Sequence, residues 1–244
     1  MKNVLCMKWG EKYGAVYVDT LYAMVARNIT PPFRFVCLTD DASEIRPEVE
    51  CRPLPAIELG PAKPWAGWRK YSTFSPELHD LEGHILFIDL DVVIVGNIDA
   101  FFEHPGRFCI IENWSQAGQG IGNSSVYRWK SGDYLDFFEC FCTHADQIVP
   151  QYRNSQTYLS RTIKDLTYWP ETWCRSFKRH CLPGGLLNLV LAPKIPDEVK
   201  IVAFHGDPKP PDAARGVWPG RPWFRRARAA PWIGNHWRAE VALP

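Results

Sequence analysis

The chain lacks an excess of charge of either sign. Its 28 lysines and arginines face 27 aspartates and glutamates, a formal net charge of +1. The basic surplus with which a general nucleic-acid binder neutralises phosphates is therefore missing, and no nucleic-acid partner is expected. It lacks any run approaching the roughly 18 consecutive apolar residues of a membrane span. At the N-terminus Lys8 ends the apolar stretch Val4 to Met7 before it reaches signal-peptide length. The eight cysteines include no pair at the two-residue gap that zinc sites favour; Cys140 and Cys142 stand one residue apart. Disulfide scaffolds are usually much shorter than 244 residues, so a cytoplasmic protein with reduced, mostly buried thiols is expected. A hydrophobic share of 46% excludes disorder as the dominant state. What the chain has in surplus is tryptophan, 11 in all, beside 21 prolines.

The first half alternates short apolar runs with helical spacing, the pattern of βαβ units. Val4 to Met7 reads as a strand, Val18, Leu21, Tyr22 and Val25 as one face of a helix, and Phe33 to Leu38 as a second strand. The stretch 51–66, with Pro53, Pro55, Pro61 and Pro64, reads as an irregular surface connection. A helix is expected from Trp68 to Leu78. Ile85 to Ile88 is apolar on both faces, as strands inside a covered parallel sheet are, and Val92 to Val95 is a further apolar run. Tyr134, Phe137, Phe138 and Phe141 mark a helix, Gln156 to Lys164 another, and Val199 to Phe204 a late strand. The expectation is an α/β fold with a single domain, a mixed and mostly parallel sheet flanked by helices.

Asp89-Leu90-Asp91 is the strongest chemical signal. Two carboxylates directly after an apolar strand lie beyond the carboxyl end of the sheet, where open α/β folds place ligands. Like charges side by side are costly to bury unless a cation compensates, and carboxylate oxygens suit Mg²⁺ or Mn²⁺. An isolated D-x-D is common and reads equally as two solvated turn carboxylates. His205 also follows an apolar strand and should emerge at the same edge; an imidazole shifts the preference toward Mn²⁺. Gly206 and Lys209 follow it, a close-approach turn and a point charge suited to a diphosphate.

Over residues 3–211 the sequence resembles the GT-A-type nucleotide-sugar glycosyltransferases, nearest to the retaining family 8 group that includes glycogenin and lipopolysaccharide galactosyltransferases. The resemblance rests on Phe87-Ile88-Asp89-Leu90-Asp91 with Gly96-Asn97-Ile98, on Asn123-Ser124-Ser125-Val126, and on Phe204-His205-Gly206-Asp207-Pro208-Lys209-Pro210, in that order. It implies a GT-A, Rossmann-like catalytic domain over 1–211 and transfer of a sugar from a UDP-sugar to a hydroxyl of a glycan or lipid-linked glycan, with retention. It implies Asp89, Asp91 and His205 as ligands of Mn²⁺ or Mg²⁺. Lys12 and Tyr13 would form the base-binding loop, and Lys70, Asp89, Leu90, Asn123, Ser124, Gly206 and Lys209 would meet the rest of the donor. Gln156 would stand close to the anomeric carbon, and with Asp91 make up the catalytic pair. Where the family usually carries an acid before that glutamine, this chain has Ser155, which favours front-face attack without a protein nucleophile.

Each residue also has a plain structural role to weigh: Tyr13 as an anchor of the first helix, Lys70 and Lys178 as solvated lysines, Gln156 as a helix-start residue. Two other functions fit parts of the pattern, a sugar-phosphate nucleotidyltransferase and a non-catalytic carbohydrate-binding protein. Residues 212–244 form a basic, Trp- and Pro-rich tail; between Arg215 and Arg238 it holds six arginines, Trp218, Trp223, Trp232 and Trp237, and no acid. Such a tail suits a peripheral patch on the inner face of a membrane, or else packs its indoles on the core with a solvated arginine rim.

Overall fold

The computed structural model describes residues 1–57, 67–220, 222 and 227–241, leaving aside the side chain of Leu186. In chain order the elements that position the site are β1 (Lys2–Lys8), α1 (Ala15–Asn28), β2 (Phe33–Thr39), β3 (Glu50–Pro53), β4 (His84–Ile88), β5 (Val92–Ile94) and α2 (Ala100–Glu103). They continue with β6 (Phe108–Glu112), β7 (Gly122–Lys130), α3 (Leu135–Gln151), α4 (Ser155–Thr162), β8 (Leu166–Tyr168), β9 (Cys174–Ser176), β10 (Ile201–Ala203), α5 (Pro210–Arg215) and α6 (Trp232–His236).

Alternation along the central strands sorts side chains into two cores, because successive residues of a strand point to opposite faces. Val4 and Cys6 of β1 join Leu86 and Ile88 of β4 in one core with Val18, Leu21 and Val25 of α1. Leu5 and Met7 join Ile85 and Phe87 in the other, with Trp68, Tyr71, Phe137 and Phe141. The main sheet has the order β3-β2-β1-β4-β7-β6-β8. β7 runs antiparallel to both neighbours, and the remaining pairings are parallel. The mixed, mostly parallel sheet expected from the sequence is present. After β4 the chain leaves this sheet, and β5 enters a small second one of order β5-β10-β9.

The expected helix over Trp68–Leu78 is instead two 3₁₀ segments, Trp68–Phe74 and Pro76–Leu78. Ser75 separates them: its hydroxyl accepts from the Glu77 backbone N–H, and Pro76 starts the second segment because it has no N–H to donate. α3 extends well beyond the aromatic cluster that announced it, with a break in helical geometry at His144. The cysteines are all free; Cys6, Cys37, Cys109, Cys174 and Cys181 are buried, whereas Cys140 and Cys142 are exposed.

The described part of 212–244 packs onto the domain. Ala213, Trp218, Ala227, Ala230 and Ile233 belong to the same core as α1, and Trp232 and Trp237 lie against it. The Trp232 indole donates to the Pro193 carbonyl at 3.1 Å, and Trp237 meets Tyr17 edge-on at 5.2 Å. The Arg27 guanidinium donates to the carbonyls of His236, Arg238 and Glu240. These three indoles pack on the core, Trp218 buried and Trp232 and Trp237 half-buried. Trp223, Arg221, Arg225 and Arg226 lie outside the described residues. Among the described residues no helix is long and apolar enough to cross a membrane.

Candidate active site

Asp89 and Asp91 flank the point where the chain passes from the main sheet to the small one. Asp89 directly follows β4 and stays tied to the sheet through its backbone N–H, which donates to the Ser125 carbonyl of β7 at 2.9 Å. Leu90 is buried in the core at 3% exposure, so its side chain takes no part in the exposed edge. Its burial turns the two carboxylates the same way, out over the sheet's carboxyl edge.

Pairing of the small sheet delivers the distant residues. β10 runs antiparallel to β5 with Ala203 opposite Val92, and the Phe204 N–H donates to the Asp91 carbonyl at 3.1 Å. His205, Gly206 and Lys209 follow at once, so the strand register brings the late motif to the early carboxylates. Gly206 has φ +67°, a left-handed turn that glycine adopts at little cost. The Lys209 ammonium reaches Asp91 Oδ2 at 2.6 Å and the Tyr13 hydroxyl at 2.8 Å, while Tyr13 itself donates to Asp91 Oδ2 at 2.7 Å. The loop before α1, the D-x-D turn and the start of α5 thus meet on one carboxylate oxygen. Burial first, and then the negative charge of Asp91, push the Tyr13 phenol up, so it is a stable neutral donor. Lys12 is exposed and lies 5.1 Å above the Tyr13 ring.

Asp89 has its own lysine. Lys70 Nζ stands 2.6 Å from Asp89 Oδ1 and donates to the Ser124 carbonyl at 3.0 Å. Gly67, at φ +52°, opens the 3₁₀ segment that carries Lys70, and a Cβ there would come within 2.5 Å of Ser155 Oγ. Lys70 is therefore held at the site by Asp89 and the Ser124 carbonyl, not solvated. Burial raises the affinity of Asp89 for a proton, Lys70 opposes this, and Asp91 adds to it.

The antiparallel β7 sets Asn123 and Ser124 beside this pair. Asn123 Oδ1 accepts from the Ser125 N–H at 3.0 Å, opposite an irregularity in β6 between Ile110 and Ile111. Gln156, in the first turn of α4, lines a small cleft with Lys70, Ser124 and Tyr127. Its Oε1 is buried and has no hydrogen-bond partner. A buried acceptor left unpaired costs about 1–3 kcal/mol, so such an atom is the kind that a ligand satisfies.

His205 lies at the same edge but is engaged elsewhere: its Nε2 is 2.7 Å from Ser176 Oγ, and Lys178 donates to its carbonyl at 2.6 Å. Burial, then Lys178 and Arg179, hold the imidazole below its ordinary range, which keeps it neutral and able to ligate. Lys178, read from the sequence as a solvated lysine, belongs to this turn. The Ser176-Phe177-Lys178 run draws notice in the sequence only for its lysine; the role of Ser176 beside His205 follows from its position at the end of β9, paired with β10.

Among the described residues no three His, Cys, Asp or Glu side chains stand close enough together to hold a metal ion. The donor set itself suits one: two carboxylates and a neutral imidazole are the oxygen and nitrogen ligands that Mn²⁺ takes. The two bonds to Asp91 both fall on Oδ2. The two carboxylates already require a cation each, and lysines fill that role here.

No protein-family model matches the chain, and no curated protein does. Solved structures do. Galactosyltransferase LgtC, crystallised with donor and acceptor sugar analogs, superposes with a TM-score of 0.60 at 12% identity, covering 85% of this chain and 88% of that one. Glycosyltransferase GlyE of Streptococcus pneumoniae gives 0.58 at 12% identity, over 86% of this chain and 56% of its own. Mouse xyloside xylosyltransferase 1 gives 0.50 at 13% identity, over 84% of this chain and 97% of its own. Identities this low establish architecture and leave residue roles to the geometry. The shared architecture is plain: the chain has the GT-A fold of glycosyltransferases.

Proposed function

We propose that this protein is a glycosyltransferase that moves a sugar from a UDP-sugar to a hydroxyl of a glycan, with retention and with a divalent cation. The observation that carries the reading is the cluster at the edge of β4, where Asp89 and Asp91 meet Lys70, Lys209 and Tyr13 within hydrogen-bond distance. That cluster, on a GT-A scaffold whose neighbours are named glycosyltransferases, is suited to a diphosphate beside a cation. The nucleotidyltransferase and non-catalytic readings draw no support from those neighbours.

Asp89, Asp91 and His205 have the donor chemistry for the ion and would have to exchange their present partners, Lys70, Lys209 and Ser176, to hold it; the ion would supply Lewis-acid neutralisation of the departing diphosphate. Lys209 and Lys70 contribute fixed positive charge for the same oxygens. Tyr13 presents its ring to the base, and its hydroxyl keeps Asp91 oriented. Asn123 and Ser124 border the donor sugar, and the unpaired Gln156 Oε1 is an acceptor for the positive charge that develops at the anomeric carbon in an oxocarbenium-like transition state. Ser155 is packed against Gly67 and its carbonyl accepts from the Tyr71 hydroxyl, so no nucleophile stands before Gln156. Attack from the same face as the leaving group then needs only the acceptor hydroxyl and the departing phosphate.

The test is a thermal-shift panel of nucleotide sugars with Mn²⁺ and with chelator, followed by turnover on the hits. A raised melting temperature with a UDP-sugar and Mn²⁺, lost with chelator, is expected, together with UDP release. If Asp91→Ala leaves binding and turnover unchanged, the reading fails. An inverted anomer in the product, seen by proton NMR, removes the retaining mechanism.

A further inference from the structure

Tyr13 stands in a loop that gives its ring few contacts. Gly10, Glu11, Lys12 and Gly14 around it are exposed, and Gly14 begins α1 without a side-chain cap. Asp91 holds the hydroxyl end. The ring end rests on Tyr17, in the first turn of α1, at 4.8 Å between centroids and 53° between planes. Tyr17 in turn takes Trp237 edge-on at 5.2 Å and 71°. Tilted and edge-on aromatic pairs at such separations attract, so the three rings form one packed chain from the C-terminal segment to the donor cluster. Resting on the donor site proposed above, we infer that residues 227–240 form a strap that positions that site, and that Trp237 is a positioning residue that sets Tyr13 through Tyr17.

The strap is anchored along its length. Beyond the short α6 it has no regular structure, so its carbonyls must find donors elsewhere. The guanidinium of Arg27, in the last turn of α1, donates to the carbonyls of His236, Arg238 and Glu240. The Arg46 guanidinium donates to the Ala239 carbonyl at 3.0 Å. Ile233 of α6 is fully buried in the core that α1 shares, and the Trp237 N–H donates back to its carbonyl at 2.7 Å. Trp237 is therefore presented to Tyr17 from a fixed backbone.

The same segment grips the other side of the cluster. The Ala230 N–H donates to the Ala213 carbonyl of α5 at 3.0 Å. Gly216 ends α5 at φ +72°, and a Cβ there would come within 2.8 Å of the Ala229 backbone N. Only glycine allows that approach. Since α5 begins directly after Lys209, one strap braces both Tyr13 and Lys209, the two groups that meet on Asp91 Oδ2.

Two measurements on the full chain test this. In the first, calorimetry reads the binding of UDP with Mn²⁺. Tyr13→Ala should weaken it roughly tenfold, as loss of an aromatic platform under a base does. Trp237→Ala should weaken it about threefold to tenfold, the worth of an aromatic pair. Trp237→Leu, which keeps apolar bulk for folding, should do the same, and Trp237→Phe should restore binding. Because the effect passes through Tyr13, the double variant of Tyr13→Ala and Trp237→Ala should bind no worse than Tyr13→Ala alone. Leu81→Ala, fully buried in the other core, lowers stability away from the three rings and should leave UDP binding as it was. The second measurement needs no nucleotide: in protein labelled with 3-fluorotyrosine, the ¹⁹F resonance of Tyr13, assigned with Tyr13→Phe, should shift or broaden in Trp237→Ala and Trp237→Leu and return in Trp237→Phe. The inference is overturned if that resonance stays in place, if the Trp237 variants bind UDP like the unaltered protein, if Leu81→Ala weakens binding as much as they do, or if the two losses add in the double variant. Failure of the unaltered protein to bind UDP, or full binding by Tyr13→Ala, would instead count against the donor reading, and the fluorine spectrum then decides the role of Trp237 alone.

Discussion

The Asp91–Lys209 contact is the clearest place to test whether the cluster is the electrostatic unit its geometry implies. Asp91→Asn keeps the shape of the carboxylate and removes its charge; Lys209→Met keeps most of the length and removes the ammonium. At 2.6 Å and an effective dielectric of about 20, the gross attraction is on the order of 6 kcal/mol. Desolvation cancels much of that, and the two side chains remain 14% and 11% exposed. Breaking a buried pair from one side typically costs about 3–5 kcal/mol, so about 2–3 kcal/mol is expected for each single variant in this partly wet site. The double variant removes the stranded charge as well as the attraction. It should therefore be destabilised by only about 1–3 kcal/mol, a coupling of about 3 kcal/mol between the sites. Urea unfolding without nucleotide or metal reads all four proteins, and each single substitution should lower Tm by roughly 4–10 °C for a domain of this size. Nucleotide-sugar turnover should fall in all three variants, including the more stable double one. If the double variant's loss equals the sum of the single losses within about 0.5 kcal/mol, the pair is a surface coincidence and the reasoning is refuted.

Two further outcomes are expected. Gln156→Leu removes a buried acceptor that has no partner, so stability should change by less than about 1 kcal/mol while turnover drops at least tenfold, on the order of other single catalytic hydrogen-bonding groups; unchanged turnover would remove Gln156 from the mechanism. Asp99 is partly buried, which opposes its ionisation, yet Lys2 at 2.6 Å and the bonds from Thr30 and Asn97 hold its carboxyl well below the usual range. A depressed folded-state pKa contributes stability above the unfolded value, about 3.9, and loses it as pH falls toward the folded value. Asp99→Asn should therefore cost about 1–3 kcal/mol at pH 7, and the gap to the unaltered protein should shrink as pH drops below about 4. A gap that stays constant between pH 7 and pH 3 would contradict the assignment.

How far the sequence reaches differs from residue to residue. The continuous apolar runs Val4–Met7 and Ile85–Ile88 and the helical spacing of Val18, Leu21 and Val25 are local patterns, and the elements stand where those patterns put them. Asp89 and Asp91 were legible because their position, just past an apolar strand, is itself local. The 3₁₀ geometry at Trp68–Phe74 was not, since its spacing suits an α-helix equally well.

By itself, then, the sequence determined the α/β class, the central strands and the carboxylate pair, because each follows from side-chain periodicity or from what ends a strand. The tertiary structure alone decided what surrounds that pair. The register of β5 against β10 brings Lys209 and His205 to Asp91, the antiparallel insertion of β7 brings Ser124 to Lys70, and Trp218, Trp232 and Trp237 find partners on the core. These are pairings between segments far apart in the chain, fixed by complementary packing and hydrogen-bond register, and no local pattern of residues encodes them.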